Sequence, residues 1–408
     1  MGQSCIPLWS VRQMAVTNTL LTPSLITKET LVILENNLVA AGKVNRQFEN
    51  QFVKIGDTIT VRKPNKFVVS DGAGLVIQNV TEPSTSITIS NQKHVGFLFS
   101  ERELTLIIEE FSERYLKPIA AVLANRIDFD VLGMYSSVNN SVGTPGTTPN
   151  NFSFLAAVGQ RMDEGAVPQD GRVLILNAAG NWALATALTS LFVRSVAEPA
   201  LKGFLAAIAN FEIYQDQNIQ MHTNGAYAGA GRTASGGQTG SSINTNNWTP
   251  TTSVLNAGDV ITFAGVFAIN PQNFASTGAL QNFVVTSTVT ADGAGAMTIP
   301  IYPAITTSGS YQTVSAAPIN AAAVTVISGL ASSQLAQNLG FVRDAFGLVT
   351  VPKELPDGVD FKARETYKNV SMRIIRAYDV NNDVMPCRVD ILYGVACFYP
   401  ELAVRLSG

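Results

Sequence analysis

The chain has 408 residues, 46% apolar and only 14% charged, with three Cys and a formal net charge of −3. At roughly 100 to 200 residues per domain, this length predicts two or three domains with cores that need no disulfide scaffold. Ordinary apolar content excludes disorder, a charged fraction below the roughly 25% of soluble domains implies a surface that is neutral or covered by other chains, and a slightly acidic balance excludes a protein built around phosphate neutralisation.

Residues 1–13 show no periodic pattern and Met14 opens a second possible start, so this stretch is read as an added arm or as an artefact of the assigned start. A myristoylation signal would need Ser or Thr at Ile6, and the early apolar stretch is too short for a secretory signal. From Thr22 the signals align for a helix: Thr22 as N-cap, Pro23 in the first position, Leu31, Leu34, Leu38 and Ala41 at helical spacing, and Gly42 as C-cap. A strand ending Ile59-Thr60-Val61 then meets a turn-rich segment holding Arg62, Lys63, Lys66 and Asp71, followed by alternation through Ile87, Ile89, Val95, Phe97 and Phe99. Two strand arms separated by so long a loop describe a projecting hairpin. Such an arm buries little against its own domain, so its cationic tip is expected to meet acidic groups of a neighbouring subunit.

Ser100-Glu101-Arg102-Glu103 has the form of a capping box, and Leu116, Ile119, Leu123, Ile127, Val131 and Met134 predict a long helix with Pro118 in its first turn or at a kink. After the breakers of Gly143 to Pro149, Phe154 to Met162 reads as helix, Arg172 to Leu176 as a buried strand, Asn181 to Arg194 as helix and Glu198 to Asn210 as another helix. The class is α+β. Between Gln217 and Val342 the composition breaks, with Arg232, Asp259 and Asp292 as the only charges in that interval. Strand-like runs at Asp259 to Phe267, Gln281 to Thr290, Met297 to Tyr302 and Ala323 to Ile327, with a hairpin turn at Ala291 to Gly295, predict an inserted all-β domain over 222–333. Pro300, Pro303 and Pro318 interrupt its uncharged stretches, which are therefore not membrane spans. Strands around Met372 to Tyr378 and Arg388 to Phe398 resume the α+β pattern. Cys387 and Cys397 would lie about 33 Å apart in one strand, beyond the roughly 7 Å that a bridge allows, so buried thiols in a reducing compartment are expected.

No catalytic constellation emerges. Gly229-Ala230-Gly231-Arg232-Thr233 lacks the lysine of a phosphate loop and reads as a flexible linker within the low-complexity stretch Gly225 to Gly240. His94 and His222, the only histidines, have no ligand-spaced neighbours and read as surface side chains. Glu109-Glu110 and Asp128-Asp130 read as solvated helix faces, because neighbouring helical carboxylates cannot face each other across a cleft. No enzyme activity, cofactor or metal is expected.

Several stretches together resemble one family, the major capsid (coat) proteins of P22-like tailed bacteriophages: Asn18-Thr-Leu-Leu-Thr-Pro23 with Leu34-Glu-Asn-Asn-Leu38, Val53-Lys-Ile-Gly-Asp-Thr-Ile-Thr-Val-Arg-Lys-Pro64, Glu110-Phe-Ser-Glu-Arg-Tyr-Leu-Lys-Pro118, Ala257-Gly-Asp-Val-Ile-Thr-Phe-Ala-Gly-Val-Phe-Ala-Ile-Asn-Pro271 and Leu392-Tyr-Gly-Val-Ala396. The resemblance runs from about residue 15 to the end and implies the HK97-like capsid fold with an inserted β-barrel domain. It implies an N-arm helix over 14–45, an E-loop hairpin over 46–100, the long helix of the peripheral domain over 101–142, an axial domain over 143–221, and the axial and peripheral remainder over 334–408. It further implies self-assembly into pentamers and hexamers of an icosahedral head enclosing double-stranded DNA, built in the bacterial host cytoplasm with a scaffolding protein and a portal. Contact with the DNA would be weak and non-specific, and no membrane would be involved. Some shells of this fold link a hairpin lysine to a neighbour's asparagine, for which Lys66 would be the candidate, though that link is not favoured here. The near-absence of charge from the insertion departs from any family contact made there through salt bridges. Two other readings share features with the chain: an encapsulin-like compartment, which the insertion and the length disfavour, and a β-rich adhesin or tail component, suggested by the Thr, Asn and Gly-rich segment.

Overall fold

The structure, a computed structural model, describes residues 23–47, 58–100 apart from 71, 73, 76, 79 and 81, 116–188, and 205–408 apart from 209, 360, 381 and 383. The expected N-cap Thr22, the capping box at 101–103, Glu109-Glu110 and Cys5 lie outside the described residues.

Helix α1 (Pro23–Asn37) begins at the proline and buries Leu31 and Leu34 completely. It stops at Asn37, short of the expected end at Ala41, because the backbone N–H groups of Val39 and Ala41 turn to the Asp128 carboxylate at 2.9 and 2.7 Å. That carboxylate lies on the long helix α2 (Lys117–Leu132), which has Pro118 in its first turn and continues as one 3-10 stretch, Gly133–Ser137. The expected stripe from Leu116 through Met134 is buried throughout.

Both helices cover one face of a five-stranded sheet. Its order is Phe346–Thr350, Val384–Cys397, Val370–Arg376 and Phe361–Tyr367, with β3 (Asn91–Ser100) antiparallel along the other edge of Val384–Cys397. Strand periodicity sends Val389, Ile391 and Tyr393 into a core shared with Val370, Met372 and Ile374, and with Leu123 and Ile127 of α2. Cys387 and Cys397 are free within this strand.

A seven-stranded mixed sheet is ordered Ser141–Val142, Ala403–Ser407, Gln334–Val342, Arg172–Leu176, Phe211–Gln215 and Leu205–Ile208, with Met221–Thr223 on Gln334–Val342. Helices Phe152–Glu164 and Ala178–Leu188 lie against it, and a second core gathers Leu155, Val158, Met162, Leu174 and Phe211. The helix expected over Glu198 to Asn210 is not present in its described part: Leu205–Ile208 is an edge strand antiparallel to Phe211–Gln215. Asn210, at φ 66°, makes the tight reversal that a helix would not contain.

The weakly charged segment forms six strands in the order Val324–Val326, Val260–Phe263, Phe283–Val285, Met297–Ile305, Gly240–Trp248 and Gly229–Thr233, and a bridge between Arg232 and Ala323 closes the ring. Trp248, Phe263, Phe283, Ile299 and Ile301 fill its interior. Gly229–Thr233 is thus a strand and not a flexible linker. A Cβ on Gly231 would meet the Trp248 ring at 2.2 Å, so glycine lets the indole lie flat on the backbone. The expected turn at Ala291 to Gly295 is pinned by Asp292, whose carboxylate accepts the N–H groups of Ala294 and Ala296. The runs on either side pair farther back, Val284 with Tyr302 and Val285 with Ile301.

Candidate assembly surfaces

The hairpin is built from β1 (Thr58–Arg62) and β2 (Ser84–Thr88), antiparallel from Thr58 opposite Thr88 to Arg62 opposite Ser84. Its base is anchored, with Ile59, Val61, Ile87 and Ile89 packing on Val349, Val351, Leu392 and Phe398. The crossing is close: a Cβ on Gly394 would meet the Thr88 carbonyl oxygen at 2.5 Å, so only glycine lets β2 pass over the long strand.

Beyond the base, 21 residues link the strands. Arg62 pairs with Glu82 of the same hairpin at 3.0 Å. Both side chains are well exposed, so the pair adds at most about 1 kcal/mol. Lys63 lies over the Tyr399 ring, 4.9 Å from its centroid, and Lys66 is exposed. Arg62 and Lys63 therefore stand at the neck of the hairpin, and Asp71 lies outside the described residues.

The projecting part is chiefly apolar. Phe67, Val69, Leu75, Ile77 and Val80 are 60, 91, 89, 84 and 60% exposed. Gln78 ties the two sides together: its Oε1 accepts the Val68 N–H at 2.9 Å and its amide donates to the Val68 carbonyl. Sequence reasoning attended to charge and missed this row. The signal was there, since Phe67 and Val69, and Leu75 and Ile77, alternate within a turn-rich stretch. A soluble chain keeps so large an apolar projection where something else covers it.

The second site joins the ring of strands to the two sheets, and it corrects the reading of His222. While His94 is exposed as expected, His222 is buried. Its Nε2 lies 2.8 Å from Asp259 Oδ1 and its Nδ1 lies 3.1 Å from the Tyr135 hydroxyl. The tautomer protonated on Nε2 satisfies both, donating to the carboxylate and accepting from the phenol. The other Asp259 oxygen accepts the N–H groups of Gly225 and Asn256. Arg405, fully buried, donates from Nε to the Val138 carbonyl and from Nη1 to the Gly258 carbonyl, both at 2.8 Å. Burial pulls its pKa down to about 10, while Tyr135 and Asp259 oppose that shift. Asn139 and Asn282 extend the seam, each donating to a backbone carbonyl across it. A buried network of this kind fixes one part of the chain on another, although Arg405 Nη2 finds no partner in it. Among the described residues no three His, Cys, Asp or Glu stand together as a metal site.

The family model described as "P22 coat protein - gene protein 5" matches residues 14–408. No curated protein matches the chain. Among solved structures, the chain is similar to one from Mycobacterium phage Che8 at 13% identity and TM-score 0.48, covering 90% of each chain. It is similar to the mature capsid of bacteriophage PhiM1 at 9% identity and TM-score 0.44, covering 90% of this chain and 86% of that one. A virus-like particle from Pyrococcus furiosus is similar at 12% identity and TM-score 0.39, covering 93% and 97%. These structural likenesses are loose, and the assignment rests on the family match over nearly the whole length. The chain belongs to the P22 coat protein family and is a major capsid protein of a phage head shell.

Proposed function

We propose that this coat protein builds its shell by laying the β1–β2 hairpin across a neighbouring subunit, in an HK97-like arrangement. In this reading α1 belongs to the N-arm, the hairpin is the E-loop, α2 is the long helix of the peripheral domain, the seven-stranded sheet is the core of the axial domain, and the ring over 222–333 is an inserted barrel. Subunits group into pentamers and hexamers of a closed icosahedral shell around double-stranded DNA, assembled in the host cytoplasm with a scaffolding protein and a portal. The role is structural and non-catalytic.

The observation that carries this reading is the apolar hairpin. Each large aliphatic or aromatic side chain taken from water contributes about 1.5–3 kcal/mol, and closed symmetry repeats the contact around every ring. The cations Arg62, Lys63 and Lys66, with Asp71, then serve the rim of that contact, where charge sets register and adds little affinity. Net acidity suits the lining of a DNA container, since a surface that gripped phosphates would oppose packaging and release.

The test replaces residues 64–82 with Asn-Gly. Lys63 N–H already bonds to the Pro83 carbonyl at 2.8 Å, so a two-residue turn closes the strands without disturbing the base. Folded, soluble subunits that form no shells by electron microscopy are expected, and normal shells from this variant would overturn the hairpin model.

A further inference from the structure

Buried charges need partners, and elsewhere in this chain each meets one opposite charge or backbone groups. Arg46 has Glu35 and the Ala41 carbonyl, Arg172 has Asp163 and two carbonyls, and Arg405 has two carbonyls. Asp390 departs from this pattern. It stands on the strand Val384–Cys397, on the sheet face turned away from α1 and α2, since Val389 and Ile391 on either side of it point into the core. Three cations converge on its fully buried carboxylate: Lys353 Nζ at 3.2 Å, Arg373 Nη2 at 2.6 Å and Arg388 Nε at 3.1 Å. Gln92, with its amide oxygen turned to them, accepts from Lys353 Nζ at 2.6 Å and Arg388 Nη2 at 3.0 Å.

One carboxylate cannot balance three cations. The Lys353 and Arg373 side chains are only 9 and 14% exposed, so water does little for them, and none of the three makes another ion pair among the described residues. Burial pulls the Lys353 pKa down and Arg373 and Arg388 add to this, which Asp390 only partly offsets. The excess extends across the sheet. Arg373 lies opposite Asp390 in register, and Arg364 of the next strand lies opposite Arg373, an arrangement of like charges that a sheet ordinarily avoids. Arg364 is exposed and donates from Nη1 to the Lys353 carbonyl, which leaves its Nε and Nη2 side open. Arg388, at 42% exposed, also reaches the surface.

We propose that this cationic row receives a carboxylate-bearing segment of a second copy of this chain, with Arg364 and Arg388 reaching it and Lys353 and Arg373 forming the charged floor beneath. This rests on the shell reading above, which supplies the copies. The chain holds 30 Asp and Glu against 27 Lys and Arg, so carboxylates are the charge that its copies have in excess. The open edge of the Arg364 guanidinium has the planar fork that matches a carboxylate with two parallel hydrogen bonds. Nucleic acid fits less well, because it needs cations spaced along a run of phosphates, whereas here a carboxylate lies at the centre of the row.

Arg364→Glu tests this in solution. The new acid stands opposite Arg373, so the free subunit should melt at or above the wild-type temperature. Its shell yield should fall about tenfold or more, because repulsion of the acidic partner is repeated around every ring. Electron cryomicroscopy of wild-type shells assembled without DNA should place a carboxylate oxygen of another copy within about 4 Å of Arg364 or Arg388. Shells from the Glu variant at wild-type yield overturn the proposal and leave the shell reading standing. So does a map in which the row faces solvent, or is filled only in shells that hold DNA. Failure of the wild-type chain to form shells at all overturns both.

Discussion

Asp128 shows how one buried carboxylate ends one helix and ties it to another. Its two oxygens take the N–H groups of Val39 and Ala41, and burial, which outweighs those bonds, pushes its pKa up to about 7. A folded-state pKa above the unfolded value means the folded chain holds the proton more tightly. Its contribution to stability is therefore fully present below about pH 4 and lost as pH rises through about 7. In Asp128→Asn the amide keeps one acceptor but turns a donor toward the other N–H, at a cost of about 1–3 kcal/mol, and it cannot titrate. Urea unfolding of free subunits should show a wild-type slope of up to about 1.4 kcal/mol per pH unit between pH 4 and 7. The variant should lack that slope, so that the two curves converge as pH rises. Reading Asp128 and Asp130 as solvated faces was mistaken for both, since Asp130 accepts the Tyr393 hydroxyl at 2.5 Å and pairs with Arg126 at 3.0 Å. A clue was legible, because Asp128 follows Ala120 and Ala124 by steps of four on the buried side of α2. Its partners, nearly ninety residues earlier in the chain, were not.

Elements were legible where local periodicity decides them and illegible where a distant partner does. The α2 stripe, the strand Arg172–Leu176 and the helix Phe152–Glu164 stand close to where spacing puts them. Leu205–Ile208 looks helical by composition, but pairing with Phe211–Gln215 makes it a strand. Gly229–Thr233 was misread for a related reason: glycine signals a flexible loop and a close approach equally well, and only Trp248, seventeen residues on from Gly231, distinguishes the two. The indole covers the strand and donates its Nε1–H to the Thr245 hydroxyl at 2.8 Å. Gly231→Val should therefore lower the stability of the ring by about 1–3 kcal/mol, as overpacking does, seen as a loss of Trp248 burial in fluorescence and a lower melting temperature. Gly237→Val, where a Cβ meets nothing within 4 Å, should disturb the Trp248 signal far less despite its positive φ. Equal effects at both sites would mean that chain flexibility, and not the indole, sets the requirement.

Across the whole molecule the scarcity of charge resolves into a division of labour. Of the three charges between Gln217 and Val342, Arg232 stands at the closing bridge, Asp292 pins a turn and Asp259 is buried in the seam with His222. Arg232 and Asp292 remain exposed, so the surface of the ring carries these two isolated charges among hydroxyls and amides, while the seam holds Asp259 inside. Arg405 is the groups' shared tie: it reaches the end of α2's 3-10 extension through Val138 and the ring through Gly258, and it balances the Asp259 carboxylate. Arg405→Met keeps much of the volume but strips two carbonyls of their donor and removes the buried positive charge near Asp259, which keeps His222 and the N–H groups of Gly225 and Asn256 as partners. Leaving a buried carbonyl without its donor typically costs about 1–3 kcal/mol, and here that loss falls on the joint, since the ring keeps its own core around Trp248, Phe263 and Phe283. Scanning calorimetry of free subunits should show the wild type melting in one transition and the variant in two, as the ring and the sheets lose their coupling. A single transition at the wild-type temperature would mean that the asparagine contacts along the seam, Asn139 and Asn282, suffice to hold the parts together without the guanidinium.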